Sequence, residues 1–221
     1  MTGTLGLVGG AEFTPACEAI DRALLAAAPT DRVVVLPTAA AFEHPDRVLD
    51  RANHWFAGLD ASMVGCRVLG RPDALAAEHI DVVRASGFTY LAGGSPMHLR
   101  SVLKATPLWD ALVAAWRDGG VLAGSSAGAM VLTDPMVDPR GGAFTLGLGL
   151  IPRLAVVPEA EQWHHERMHR TLGLAKGFPL VTLATGAALV RCDDGRWVAH
   201  GDVGIYVDGG PAALDVLPSV L

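Results

Sequence analysis

The chain reads as an α/β protein of three layers, a mostly parallel sheet sandwiched between helices, with a C-terminal antiparallel strand section. Three observations carry this reading. Short apolar runs alternate with longer stretches of helical spacing through the first half of the chain. Several of those runs are β-branched or wholly apolar, as strands covered on both faces are. The last third instead places short apolar runs close together, separated by Asp-Gly and Gly-Gly turns, which is a pattern of antiparallel strands.

Each element follows in order. Residues 4–8 open as a strand, stopped by Gly9-Gly10. Residues 14–28 repeat apolar side chains at helical spacing (Ala16, Ile20, Ala23, Leu24, Ala27). Residues 32–36 are a β-branched strand ended by Pro37, and 45–59 a helix beginning at a proline. A strand at 63–69, a helix at 74–86 and a strand at 88–92 come next, the last ending in Gly93-Gly94. Helical pieces at 97–104 and 107–117 stop at Asp118-Gly119-Gly120. Residues 133–149, rich in Asp, Pro and Gly, read as an irregular loop bordering a site. A strand at 154–157 and a helix at 163–174 follow, and then strands at 180–183, 187–191, 196–200 and 204–207. No internal repeat and no linker-like stretch divides the 221 residues, so a single domain over 1–221 is expected.

Composition narrows the function. Hydrophobic residues make up 51% and charged ones 18%, with a net charge of −6 and a mean hydropathy of +0.35. A globally disordered chain is excluded, and a nucleic-acid or anionic-membrane partner is disfavoured. No apolar run reaches the length of a membrane span, and the N-terminal residues lack a secretory pattern, so a cytoplasmic protein is expected. Cys17, Cys66 and Cys192 are far apart and form no C-x-x-C pair, which points to neither a disulfide framework nor a cysteine metal site. No Gly-x-Gly-x-x-Gly or P-loop follows any strand, and no cofactor is expected. The lightly charged surface is compatible with a homodimer.

Chemistry concentrates at Gly124-Ser125-Ser126-Ala127-Gly128. This G-x-S-x-G follows the apolar run Val121-Leu122-Ala123 and precedes Ala129-Met130-Val131-Leu132, the strand–turn–helix setting of a nucleophile elbow. The small flanking residues let the chain turn sharply and expose the Ser126 hydroxyl. The N–H of Ala127, opening the next helix, then points where an oxyanion would form. The glycine N–H groups of Leu91-Ala92-Gly93-Gly94-Ser95, at the end of another strand, are candidates for a second donor.

Together with Gly147-Leu148-Gly149-Leu150-Ile151-Pro152, this order resembles the peptidase S51 family, which includes dipeptidase E and cyanophycinase. The resemblance runs from Gly9-Gly10 to the final strands. It implies a class I glutamine amidotransferase-like fold with serine in place of cysteine. It also implies a Ser/His/Glu site acting on small acidic substrates, such as aspartyl dipeptides or aspartyl-arginine polymers. Carried over, Ser126 matches the nucleophile, and Gly94 and Ala127 match the oxyanion positions. Two departures stand out. The family histidine position holds Glu159, within Pro158-Glu159-Ala160, and the family acid position holds Thr185.

A serine hydroxyl needs a base to become a nucleophile at neutral pH. Glu159 is one candidate. His164 or His165 is another, displaced by about one helical turn from the family position. Glu159 or Glu161 would then orient the imidazole. The same stretch contains His165-Glu166-Arg167-Met168-His169, which satisfies H-E-x-x-H and would present two imidazoles on one helix face. Arg167 and Arg170 disfavour a dication there, and no metal site is assigned. They are instead candidates for binding substrate carboxylates, as arginines on the corresponding helix are in cyanophycinase-like proteins. His98 is read as a partly buried structural residue. The leading expectation is a serine hydrolase of small peptides or amides. Its rivals are a catalytically degenerate relative that binds a small acidic ligand, and a metal-dependent hydrolase built on the H-E-x-x-H segment.

Overall fold

The computed structural model describes residues 2–219. It contains β1 (Thr4–Val8), α1 (Glu18–Ala27), β2 (Arg32–Leu36), α2 (Pro45–Ala57) and β3 (Ser62–Gly65). Next come α3 (Ala77–Arg84), β4 (Phe88–Leu91), α4 (Pro96–Leu103), α5 (Pro107–Arg117), β5 (Val121–Ser125) and α6 (Ala127–Leu132). Four short strands follow, β6 (Thr133–Asp134), β7 (Met136–Val137), β8 (Phe144–Thr145) and β9 (Ile151–Pro152). The chain continues through β10 (Ala155–Pro158), α7 (His165–Leu174), β11 (Leu180–Leu183) and β12 (Ala188–Arg191). It ends with β13 (Trp197–His200), β14 (Val203–Val207) and β15 (Gly210–Pro211).

The principal sheet has seven strands in the order β13-β12-β1-β5-β4-β2-β3. The pairings β1–β5, β5–β4, β4–β2 and β2–β3 are parallel, while β12 and β13 join antiparallel. This is the expected mostly parallel sheet with an antiparallel C-terminal section. A second sheet, β10-β11-β14-β15, takes the remaining late strands.

The apolar runs form strands because both of their faces are covered. In β2, Val34 and Leu36 face one core, shared with α3, α4, α5 and α6, while Val33 and Val35 face the other, shared with α1 and α2. The second core holds an aromatic cluster in which Phe13 packs against Phe56 and Tyr90, with ring centroids 5.7 and 5.0 Å away. Trp55 of α2 donates to the buried Asp21 of α1 at 2.8 Å, linking the two helices of that layer. Trp116 closes the far end, donating its indole N–H to Gly3 at 2.8 Å. The three cysteines are free thiols, and burial pushes those of Cys17 and Cys66 up to about 12. No helix among the described residues is long and apolar enough to cross a membrane.

Differences from the sequence reading have local causes. The strand expected at 63–69 stops at Gly65, because Asp73 accepts from the N–H groups of Leu69 and Gly70 at 2.8 and 2.9 Å and curls the chain into a turn. The 133–149 segment carries the short pairs β6–β9 and β7–β8, held by backbone pairing that its composition hides. The helix expected at 163–174 starts at His165, preceded by a separate turn of 3₁₀ helix at Ala160–Gln162.

In a parallel sheet the carboxyl ends of the strands share one edge. The register aligns Val8 with Ser125 and Leu36 with Leu91 and Gly124. The connections leaving β1, β2, β4 and β5 therefore emerge together, and a cleft forms among them.

Candidate active site

The G-x-S-x-G turn is built as an elbow. Ser126 has φ 47° and ψ −106°, a conformation that costs a non-glycine residue about 1–3 kcal/mol and must be held by its surroundings. Its N–H donates to Val8 of β1 at 2.9 Å, and its carbonyl accepts from Met130 at 3.0 Å within α6. A side chain on Gly124 would strike the backbone of Gly128, and one on Gly128 would strike the carbonyl of Leu91. Strand and helix can pack this closely only because both positions lack a Cβ.

Glu159 faces this serine. It follows β10, whose four residues are buried, and takes a left-handed conformation at φ 49° and ψ 42°. Its N–H donates to Gly9 at 2.9 Å, so the end of β1 holds Ser126 through Val8 and Glu159 through the next carbonyl. The side chain lies over Gly10, where an added Cβ would come within 2.8 Å of Glu159 Cγ. Ser126 Oγ donates to Glu159 Oε2 at 3.3 Å. Burial raises the Glu159 carboxyl above its ordinary value. The Ser126 hydrogen bond opposes that, and the charges of Glu12 and Glu161 add to it.

A second carboxylate lies beside the first. Glu12 accepts from the Gly93 N–H at 3.0 Å and from the Ser125 hydroxyl at 2.8 Å. Gly94 follows with φ 135°, pressed so closely against Ala39 that a side chain would strike that residue's carbonyl. Among the described residues, neither the Gly94 N–H nor the Ala127 N–H has a protein acceptor.

The opposite wall comes from the β2–α2 connection and from α2. It contributes Glu43, His44, Arg47 and Arg51 to an open cleft of about 500 Å³ that also includes Glu12, Gly93, Gly94, Ser126 and Glu159. Arg47 and Arg51 stand one helical turn apart, exposed, and neither has an ion-pair partner among the described residues. The sequence reading passed over Glu12 and this wall. Glu12 had a signal, since it stands two residues beyond Gly9-Gly10 at the end of β1. The arginines had only their spacing on a helix whose position beside Ser126 is tertiary.

The segment after Glu159 behaves differently. His164 and His165 are exposed, form no hydrogen bond with Ser126 and are not among the cleft-lining residues. The expected shift of one turn does not bring them in, because the 3₁₀ turn and α7 carry them to solvent. His165 and His169 stack on each other with ring centroids 6.5 Å apart. Among the described residues no group of three or more His, Cys, Asp or Glu side chains converges as a metal would require. Arg167 lies over the Trp163 ring at 4.5 Å and donates to the Pro139 carbonyl at 2.6 Å, so it ties α7 to the neighbouring turn. Arg170 is exposed and lies outside the cleft lining. Glu161 accepts from the Thr185 N–H at 3.2 Å and from its hydroxyl, and Gln162 donates to that hydroxyl at 3.1 Å. A glutamate thus reaches the family acid position from another part of the chain, though Thr185 itself carries no charge. His98 is structural, as expected, with Nε2 2.8 Å from the Leu69 carbonyl.

Comparison with known proteins agrees with this architecture. The family model described as Peptidase family S51 matches residues 5–198. A crystal structure of a peptidase from an acI-B1 Actinobacterium superposes with a TM-score of 0.85 at 29% identity, covering 96% of this chain and 93% of that one. A putative peptidase E protein from Listeria monocytogenes EGD-e shares the fold, with a TM-score of 0.66 at 14% identity over 93% of this chain and 98% of that one. No curated protein matches the chain significantly. The family match and the 29%-identical peptidase structure support a peptidase-type hydrolase. With most of its length matched, the chain belongs to peptidase family S51.

Proposed function

We propose that this protein, as a single class I glutamine amidotransferase-like domain, hydrolyses small peptides or amides with Ser126 as nucleophile and Glu159 as its base. The observation that carries the reading is the contact between Ser126 Oγ and Glu159 Oε2 at 3.3 Å, across an elbow that leaves the hydroxyl facing the cleft. The distance is long for an O–H···O bond, as is common in an unliganded site that tightens around its substrate. The upward displacement of the Glu159 carboxyl is in the useful direction, because a carboxylate that holds its proton more tightly is a better base.

The chemistry balances without a further reactant. Ser126 Oγ attacks the substrate carbonyl carbon as its proton passes to Glu159. The carbonyl π electrons move to oxygen, which receives the Gly94 and Ala127 N–H groups. Collapse of that intermediate breaks the C–N bond, and the amine leaves with the proton from Glu159. Water then attacks the acyl ester, giving its proton to Glu159, and Ser126 recovers its own as the acid product departs. Recognition of a substrate carboxylate is assigned to Arg47 and Arg51 rather than to Arg167 and Arg170, since the former line the cleft and have no ion-pair partner among the described residues.

The test is intact-mass labelling with a fluorophosphonate, using wild type, Ser126→Ala, Glu159→Gln and His44→Ala. The reading expects one adduct on wild type, none on Ser126→Ala and strongly slowed labelling of Glu159→Gln. Labelling that depends on His44 rather than Glu159 would move the base to the β2–α2 connection, since His44 is an imidazole lining the cleft. Unlabelled, well-folded wild type that is stabilised by acidic dipeptides would favour a binding protein that has lost turnover.

A further inference from the structure

We propose that Glu12 is a positioning residue for the hydrolysis, one carboxylate setting the oxyanion donors and the nucleophile relative to each other. The inference rests on the assignment of Ser126 and Glu159 above. Glu12 makes its two hydrogen bonds one residue upstream of two of the groups that act: Gly93 precedes Gly94, and Ser125 precedes Ser126. Gly93 lies in the turn after β4 and Ser125 ends β5, and among the described residues no other side chain accepts hydrogen bonds from both. A carboxylate can accept from both at once, where an amide oxygen has to be shared. A Cβ on Gly93 would come within 3.0 Å of Glu12 Oε1, so the loop is shaped to bring its N–H onto the carboxylate.

The loop that presents Glu12 is itself held in place. Ala11 and Phe13 on either side are left-handed, with φ 56° and 61°. Phe13 is buried among Phe56 and Tyr90. The Thr14 hydroxyl donates back to the Ala11 carbonyl at 2.7 Å, and Cys17 Sγ lies 3.3 Å from the same oxygen. Two strained residues anchored from both sides indicate a side chain that is aimed rather than merely accommodated. Misplacing reacting groups by about 1 Å can slow a reaction about 10²-fold, so a residue that fixes their relative position has a measurable effect on rate.

The Glu12 charge also acts on Glu159 and raises its pKa. The other titratable groups around Glu159 are Glu161 beside it and Glu43, His44, Arg47 and Arg51 across the cleft, and a substitution at position 12 changes none of these residues. Glu159 works deprotonated, so labelling rises with pH through its pKa. Removing the Glu12 charge therefore moves that rise to lower pH.

The experiment is the rate of fluorophosphonate labelling as a function of pH for the full chain, in wild type, Glu12→Gln, Glu12→Asp and Ser125→Ala. Glu12→Gln is expected to label about tenfold more slowly at its plateau, with its rise at lower pH. Glu12→Asp keeps the charge but shortens the reach, and is expected to slow labelling without moving the rise. Ser125→Ala removes one of the two bonds and is expected to show a smaller loss, also with the rise unmoved. If Glu12→Gln does not fold, the other two variants still decide. Plateau rates within twofold of wild type in Glu12→Asp and Ser125→Ala, or a slowed Glu12→Gln whose rise stays in place, overturn the proposal and leave Ser126 and Glu159 untouched. Adducts that persist on Ser126→Ala remove both readings together.

Discussion

Two regions of this molecule are rich in residues that chemistry uses, and they have opposite fates. Around Ser126, the serine and the carboxylates of Glu159 and Glu12 are tied to the ends of buried strands. The serine N–H is held by Val8, the Glu159 N–H by Gly9, and Glu12 is bonded to the turns after β4 and before α6. Around α7, the imidazoles and guanidinia of residues 164–170 project from an amphipathic helix, and most of them meet water. Arg167 is the exception, and its partners are Trp163 and the Pro139 carbonyl. A dense motif on a solvent-facing helix is inexpensive to build and holds nothing in place. A serine in a strained turn persists only where surrounding structure enforces it, which makes the strained turn the better indicator of function.

The comparison can be broken in order of effect. Ser126→Ala should abolish fluorophosphonate labelling and lower any hydrolysis by about 10³-fold or more, because it removes the atom that forms the acyl bond. Intact mass and steady-state rates check this. Glu159→Gln keeps the shape and loses the proton acceptor, so the rate should fall about 10²- to 10⁴-fold. In wild type the rate should fall as the pH drops through a Glu159 pKa lying above the ordinary carboxylate value, since protonation removes the base. A pH–rate profile of wild type would reveal a flat acid region if this is wrong.

Smaller effects sharpen the contrast. Replacing both Arg47 and Arg51 by alanine should raise KM for a carboxylate-bearing peptide about 10- to 100-fold, with kcat less affected, as lost charge-assisted hydrogen bonds do. An unchanged KM would return the substrate carboxylate to some other wall. Least of all, His164→Ala and His165→Ala should leave rates within about twofold of wild type, as substitutions on an exposed face generally do. A large loss from either would mean that the 3₁₀ turn before α7 rearranges when substrate binds.

Much of this was legible in the chain. The alternating apolar runs gave the parallel sheet, since a strand covered on both faces has no polar side to show, and the G-x-S-x-G located the elbow because tight strand–helix packing demands its glycines. Glu159 was legible as a departure at the family histidine position. Glu12 left a fainter trace beside Gly9-Gly10. Arg47 and Arg51 left almost none, because two arginines on a helix look alike whether they face solvent or a cleft. His164 and His165 lie outside the cleft for a related reason: one extra turn of 3₁₀ helix redirects a side chain, and residues 160–163 carry no strong mark of such a turn.

Sequence by itself determined the layers, the direction of most strands, the position of the elbow and the identity of its serine. Those properties follow from local periodicity and from glycines that no other residue can replace. Tertiary structure alone decided which carboxylate meets the hydroxyl, which arginines face the cleft and where the histidines point. Such contacts join residues 33 to 113 positions apart, and their geometry is set by strand register and by the ends of β1, β4 and β5 converging on one edge.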